Sequence, residues 1–70
     1  MSKEEEFLQA YFTNQYAPRM TQQEFQIAMI SLVEKGLMEV VEQNGNRFYR
    51  PTVLLQQMKS HYNSNPKNQN

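Results

Sequence analysis

The fold of this chain is decided by two stretches, Leu-Val-Glu-Lys-Gly-Leu-Met at residues 32–38 and Asn-Gly-Asn-Arg-Phe-Tyr-Arg-Pro-Thr at residues 44–52. Gly36 supplies the left-handed residue at which helices commonly end, and a strand-like segment follows it directly. Asn44-Gly45 is the dipeptide most typical of the tight turn of a β-hairpin. The order therefore predicts a helix, a strand, a tight turn and a returning strand.

Placing Asn44-Gly45 at the centre of a type I′ turn determines how the two strands pair. Two pairs of opposite charge and two apolar pairs then fall directly opposite each other, and a slip of one residue would destroy them. The predicted pairs are Gln43–Asn46, Glu42–Arg47, Val41–Phe48, Val40–Tyr49 and Glu39–Arg50. The glutamates partly neutralise the arginines, so these ion pairs are as compatible with simple sheet stabilisation as with phosphate contact.

Capping boxes mark the starts of the first two helices. Ser2 with Glu5, and Thr21 with Glu24, have the form in which each side chain bonds a backbone N–H of the first turn. The second helix is predicted to run from Thr21 to the stop at Gly36. Its predicted core-facing stripe is Phe25, Ala28, Met29, Leu32 and Val33.

The first and last helices each carry one apolar stripe. The first helix is predicted to fray near residues 14–16, and the last helix to run from a cap at Thr52 to about Tyr62. The two stripes are natural partners for each other, within one chain or across a homodimer. The predicted contact residues are Phe7, Tyr11, Phe12, Leu55, Met58 and Tyr62.

Composition limits the chain to one small domain. A chain of 70 residues buries only about 60% of its unfolded surface, and without cysteine it cannot gain stability from disulfides. Oligomerisation is another way for a small domain to gain stability, so we expect a homodimer. We expect one domain over residues 1–62 and a disordered polar tail over residues 63–70. The chain has no apolar run of about 18 residues and no leader pattern, which predicts a cytoplasmic protein without a membrane partner.

Residue usage argues against an enzyme. The chain has no cysteine, no aspartate and a single histidine, His61, with no sequence sign of an orienting acid. Its two glycines already serve the helix stop and the turn, so no glycine-rich loop remains to bind phosphate. We therefore expect no catalytic residues, no metal site and no cofactor.

The charge of the chain is unevenly distributed. Residues 1–42 carry seven acidic and three basic side chains, a net charge of −4, whereas residues 43–70 carry four basic and no acidic side chains, a net charge of +4. The total of zero counts against a nucleic-acid binder, because phosphate neutralisation supplies most non-specific affinity. The basic half begins with the returning strand of the hairpin.

The helix-to-hairpin segment resembles the recognition helix and wing of MarR-type and related winged-helix regulators. The resemblance covers residues 21–52, under half the chain. It rests on the family pattern L-x-x-x-G-L-hydrophobic at Leu32, Gly36, Leu37 and Met38, with Arg47 and Arg50 near the turn. The predicted fold is α+β, a small winged-helix-like domain with two or three helices, a two-stranded β-hairpin and a C-terminal helix.

This resemblance implies double-stranded DNA as the partner and transcription regulation as the role. Glutamines at the start of the helix would meet base edges in the major groove, and the wing would touch the backbone or minor groove. The implied DNA-contacting residues are Thr21, Gln22, Gln23, Gln26, Asn46, Arg47 and Arg50.

A second function stays open because of Ile27 and Ile30. They lie side by side on a helix surface that should be polar, where the C-terminal helix, a second subunit or a partner protein would cover them. Some winged-helix domains bind protein, and small phage- or plasmid-encoded proteins often work by docking on a host protein. The alternative function is therefore a small homodimeric protein-interaction module that does not bind nucleic acid.

Overall fold

The computed structural model describes residues 2–64, which form three helices and one antiparallel hairpin. The elements in chain order are α1 (Lys3–Phe12), α2 (Gln22–Glu34), β1 (Met38–Gln43), β2 (Asn46–Pro51) and α3 (Val53–Ser64). This confirms the predicted α+β class with a hairpin before the C-terminal helix, an arrangement consistent with a small winged-helix-like fold. Helix α3 is two residues longer than predicted, and the rest of the predicted tail, residues 65–70, lies outside the described residues.

Both predicted capping boxes are present. The Ser2 hydroxyl accepts a hydrogen bond from the backbone N–H of Glu5 at 3.2 Å, and the Glu5 carboxylate accepts one from the Ser2 N–H at 3.1 Å. The Thr21 hydroxyl accepts from the Glu24 N–H at 3.1 Å, and the Glu24 carboxylate accepts from the Thr21 N–H at 2.9 Å. Each box satisfies backbone donors that a helix start leaves without partners.

Helix α1 ends at Phe12, two residues before the segment in which the sequence predicts fraying. Its cap is Thr13, and Asn14 takes a left-handed conformation with φ 57°. Residues 15–21 then form neither helix nor strand before α2 begins. Helix α2 therefore follows α1 without a helix between them.

The hairpin has the predicted register. All five predicted pairs are observed, and Met38 opposite Pro51 extends the ladder by one pair. Asn44 and Gly45 have φ values of 54° and 80°, the two left-handed conformations that a type I′ turn requires.

The core forms where α2, β1 and α3 meet. Met29, Leu32 and Leu55 are fully buried, and Ala28 and Met38 complete the buried cluster. This confirms the buried positions predicted for α2, except that Phe25 lies at the edge with 37% of its surface exposed. The partly buried residues around the cluster are Phe7, Leu8, Tyr11, Phe12, Val33, Leu37 and Tyr49.

Helices α1 and α3 pack against each other within the single chain. The rings of Phe12 and Tyr62 stack with their centroids 5.5 Å apart, and the Lys59 ammonium lies 4.5 Å from the centre of the Tyr11 ring. Leu55 is fully buried in the core of its own chain, so its contacts are made within that chain. Met58 is 41% exposed and stays an interface prediction.

Thr52 joins the two halves of the fold. Its hydroxyl donates a hydrogen bond to the Gly36 carbonyl at 2.7 Å, and its backbone N–H donates to the Leu37 carbonyl at 3.0 Å. The same hydroxyl accepts a hydrogen bond from the Leu55 N–H at 3.3 Å, which confirms the predicted cap of α3. One residue therefore caps α3 and ties its start to the end of α2.

None of the helices within residues 2–64 is long and apolar enough to cross a membrane.

We expect Thr52→Val to destabilise the chain by about 1–2 kcal/mol, because the substitution keeps the side-chain shape but removes both hydroxyl hydrogen bonds. Urea unfolding followed by circular dichroism measures this change. Thr13→Val is the matched control, since the Thr13 hydroxyl bonds only carbonyls of its own helix, Gln9 at 2.8 Å and Ala10 at 3.4 Å. Its expected effect is within about 0.5 kcal/mol. Equal losses in the two variants would contradict a special role for Thr52.

Candidate interaction surface on helix α2 and the hairpin

Helix α2 has one buried face and one exposed face. The buried face carries Ala28, Met29 and Leu32. Four exposed residues follow one another along the opposite face at spacings of four, three and four, which place them in one row. This row, called the α2 ridge below, consists of Gln23, Ile27, Ile30 and Glu34.

The two isoleucines of the α2 ridge are uncovered. Ile27 is 62% exposed and Ile30 is 53% exposed, although both are large apolar side chains at the centre of a helix. The C-terminal helix is therefore not their cover, which removes one of the three possibilities that the sequence left open. A second copy of the chain and a partner protein remain.

An aromatic contact holds the hairpin against the start of α2. The rings of Phe25 and Tyr49 meet edge to face, with centroids 5.9 Å apart and an angle of 75° between the ring planes. Side chains alternate between the two faces of a strand, so Arg47 shares the face of Tyr49, whereas Arg50 lies on the other face. This contact is not predictable from local sequence, because the two rings are far apart in the chain.

Each hairpin arginine pairs with a glutamate of β1, as predicted. Arg50 Nε lies 2.9 Å from a carboxylate oxygen of Glu39, and Arg47 Nε lies 3.8 Å from one of Glu42. The two acids and two bases leave the hairpin, residues 38–51, with no net charge. The Arg47 pair is loose and its side chain is 73% exposed, so this pair contributes little to stability and the arginine can exchange partners.

The implied DNA-contacting residues of α2 all lie at the protein surface. Gln22, Gln23 and Gln26 are exposed, and Thr21 is exposed while its hydroxyl serves the capping box. The contact between Phe25 and Tyr49 holds the start of α2 against the hairpin face that bears Arg47. Arg50 lies on the other face of the hairpin.

The end of α2 leaves one carboxylate without a cation. The Lys35 ammonium, which follows α2 directly, bonds the Glu4 carboxylate of α1, and this hydrogen bond lowers the pKa of Glu4. Glu34, in the last turn of α2, has no ion pair or side-chain hydrogen bond within residues 2–64. A negative charge is unfavourable at this end of a helix. The α2 ridge therefore ends in an acceptor that lacks a donor.

Comparison with known proteins gives no match: no family model fits the chain, and no curated protein or solved structure is similar to it. The function is therefore inferred from the surface of the chain itself. Two surfaces carry the residues that the sequence singles out, the α2 ridge and the hairpin face that bears Arg47.

We expect the chain to lose stability as the pH falls below about 4.5, with Glu24 contributing to the loss. The Thr21 backbone N–H bonds the Glu24 carboxylate and lowers its pKa below the ordinary value of 4.5. Ionised Glu24 therefore stabilises the folded chain at any pH above the pKa that its carboxyl has in the unfolded chain. This stabilisation is lost as the pH falls through the lower pKa that the carboxyl has in the folded chain.

Glu24→Gln tests this contribution, because the amide keeps an oxygen that can accept the Thr21 N–H but cannot titrate. Urea midpoints at about pH 7, pH 4.5 and pH 3 give the pH dependence. The variant should lose less stability than the parent chain between the upper and lower pH. Similar stability of both chains at about pH 3, where Glu24 is protonated, shows that the cap is intact, and an unchanged pH dependence would contradict the assignment.

Proposed function

We propose that this chain is a protein-interaction module that binds a partner helix along the α2 ridge. The observation that carries the proposal is the exposure of Ile27 and Ile30 at adjacent positions in the middle of α2. Scattered exposed apolar residues are normal, but two of them side by side on an otherwise polar helix face form a continuous patch. Such a patch, with polar residues around it, is typical of a protein-binding surface.

The spacing of the ridge supports a helix as the bound element. Apolar residues three apart, with polar residues four positions before and after them, form a straight row that packs into the groove of a facing helix. Gln23 and Glu34 at the two ends can form hydrogen bonds at the rim of such a contact. The ridge thus has an apolar centre and a polar rim.

Charge favours protein over nucleic acid as the partner of this ridge. None of its four residues is basic, and Glu34 would repel phosphate. The nearest cation along the chain, Lys35, is bonded to Glu4. Since phosphate neutralisation supplies most of the affinity for duplex DNA, a neutral chain with an apolar and acidic helix face suits a protein surface better.

Photocross-linking in cells of the source organism tests this function. A benzophenone amino acid replaces Ile30, and the control replaces Val53, which is 68% exposed on a different helix, α3. We expect discrete covalent adducts from position 30 and none from position 53. An adduct at twice the 8.3 kDa mass of the chain identifies a second copy, and any other mass identifies a different protein. No adduct from position 30, or equal labelling from both positions, would contradict the proposal.

Duplex DNA binding is the second candidate, favoured by one observation. The contact between Phe25 and Tyr49 holds the start of α2, with its exposed glutamines, against the hairpin face that bears Arg47. Glutamine can pair with adenine edges, and an exposed arginine beside a tight turn can reach a phosphate. This arrangement supports a role in transcription regulation, as the resemblance to winged-helix regulators implies.

If the chain binds DNA, Arg47→Ala should weaken binding to a labelled mixed-sequence duplex. It should also make the slope of log K against log salt concentration shallower by about one. Fluorescence anisotropy at three low salt concentrations measures both quantities. Arg50→Ala is the matched control and should have a smaller effect, because Arg50 lies on the opposite face and is held by Glu39. Absence of binding by the parent chain at about 100 μM would exclude DNA.

A further inference from the structure

We propose that the helix bound by the α2 ridge is α2 of a second copy of the same chain, arranged antiparallel about a two-fold axis. This inference rests on the proposed function, since it names the partner of the same surface. The two-fold axis passes between Ile27 and Ile30, at the centre of the ridge. That point is also the middle of α2, which spans Gln22–Glu34, so two antiparallel copies overlap along their whole length.

The two-fold axis makes the ridge complementary to itself. It sets Ile27 of one chain against Ile30 of the second copy, and Ile30 against Ile27, so that all four exposed isoleucines are covered together. A closed two-fold contact requires this reciprocity, in which the same patch serves both subunits. The spacing of four, three and four is also that of four successive core positions in a two-helix coiled coil.

The ends of the ridge favour the antiparallel direction. In this direction Gln23 of each chain faces Glu34 of the second copy, and the glutamine amide can donate a hydrogen bond to the carboxylate. Glu34 has no such donor within residues 2–64 of its own chain. A parallel arrangement would instead bring the two Glu34 carboxylates together, which is unfavourable. Antiparallel α2 helices also place opposite ends of their helix dipoles side by side.

The expected association is weak, because the ridge is short. Helix α2 has 13 residues and is therefore about 20 Å long, and each chain contributes only two isoleucines to the centre of the contact. Such a contact is below the size of stable protein interfaces, and we expect a dissociation constant on the order of 100 μM. The dimer is then populated only at high local concentration.

Sedimentation velocity of the full chain from about 10 μM to about 1 mM tests the inference over the range in which a weak dimer changes population. We expect the mass to rise from 8.3 kDa toward twice that value. Ile27→Gln should abolish the rise, whereas Val53→Gln, a matched substitution at an exposed position on α3, should leave it unchanged. Circular dichroism checks that both variants fold. A chain that stays monomeric to about 1 mM, or a dimer that persists in Ile27→Gln, overturns the inference.

Charge changes at Gln23 test the antiparallel direction. Gln23→Lys places a cation opposite Glu34 of the second copy and should tighten the dimer about tenfold, and Gln23→Glu should weaken it about as much. Combining Gln23→Glu with Glu34→Lys restores an ion pair and should recover affinity. Equal effects of Gln23→Lys and Gln23→Glu would overturn the antiparallel arrangement.

The cross-linking and sedimentation results separate this inference from the proposed function. A monomeric chain whose position 30 forms adducts only with other proteins overturns the second copy as partner, while the ridge keeps its function as a protein-binding surface. A monomeric chain with no adduct from position 30 overturns both. A ridge-dependent dimer together with an adduct at twice the chain mass supports both.

Discussion

The fold depends on the junction at which the Thr52 hydroxyl donates a hydrogen bond to the Gly36 carbonyl. Gly36 ends α2 in a left-handed conformation with φ 77°, and its exposed carbonyl would otherwise be one of the unpaired acceptors at the helix end. Thr52 supplies the missing donor from the far end of the hairpin. Strand β1 thus begins and strand β2 ends next to this junction. Helix α3 also begins there, with Leu55 buried in the core. Small chains bury little apolar surface, so a hydrogen bond that joins four elements has a large share in defining one structure.

The features that the sequence predicts are those that local rules determine. Capping boxes at Ser2 and Thr21, the Asn44-Gly45 turn and the stop at Gly36 each depend on neighbouring residues, and all of them are present. The hairpin register follows from the turn, because only one register aligns both the charges and the apolar pairs. These local signals determine the positions of the elements to within two residues.

Contacts between distant segments are predictable only in part. The sequence pairs the first and last helices but leaves open whether they meet in one chain or in two, and the stacking of Phe12 on Tyr62 places the contact within one chain. Nothing local predicts that Phe25 meets Tyr49, or that Lys35 bonds Glu4 and not Glu34. These pairings depend on how the helices cross, which is set by the shape of the whole core. The exposure of Ile27 and Ile30 could be predicted, because helical periodicity places them opposite the buried face.

Strand pairing offsets part of the uneven charge of the sequence. The basic half of the chain begins in β2, but the hairpin places its two arginines opposite two glutamates of the acidic half. Counting charges along the sequence thus overstates the positive surface, because strand pairing places glutamates beside the arginines.

The outer face of α2 is apolar at its centre and acidic at one end. DNA binding at the start of α2 and dimer formation along the ridge both require Gln23, so a duplex and a second copy would compete for that residue. Two exposed isoleucines at the centre of this face and a carboxylate at its end suit a protein helix better than a groove lined with phosphates.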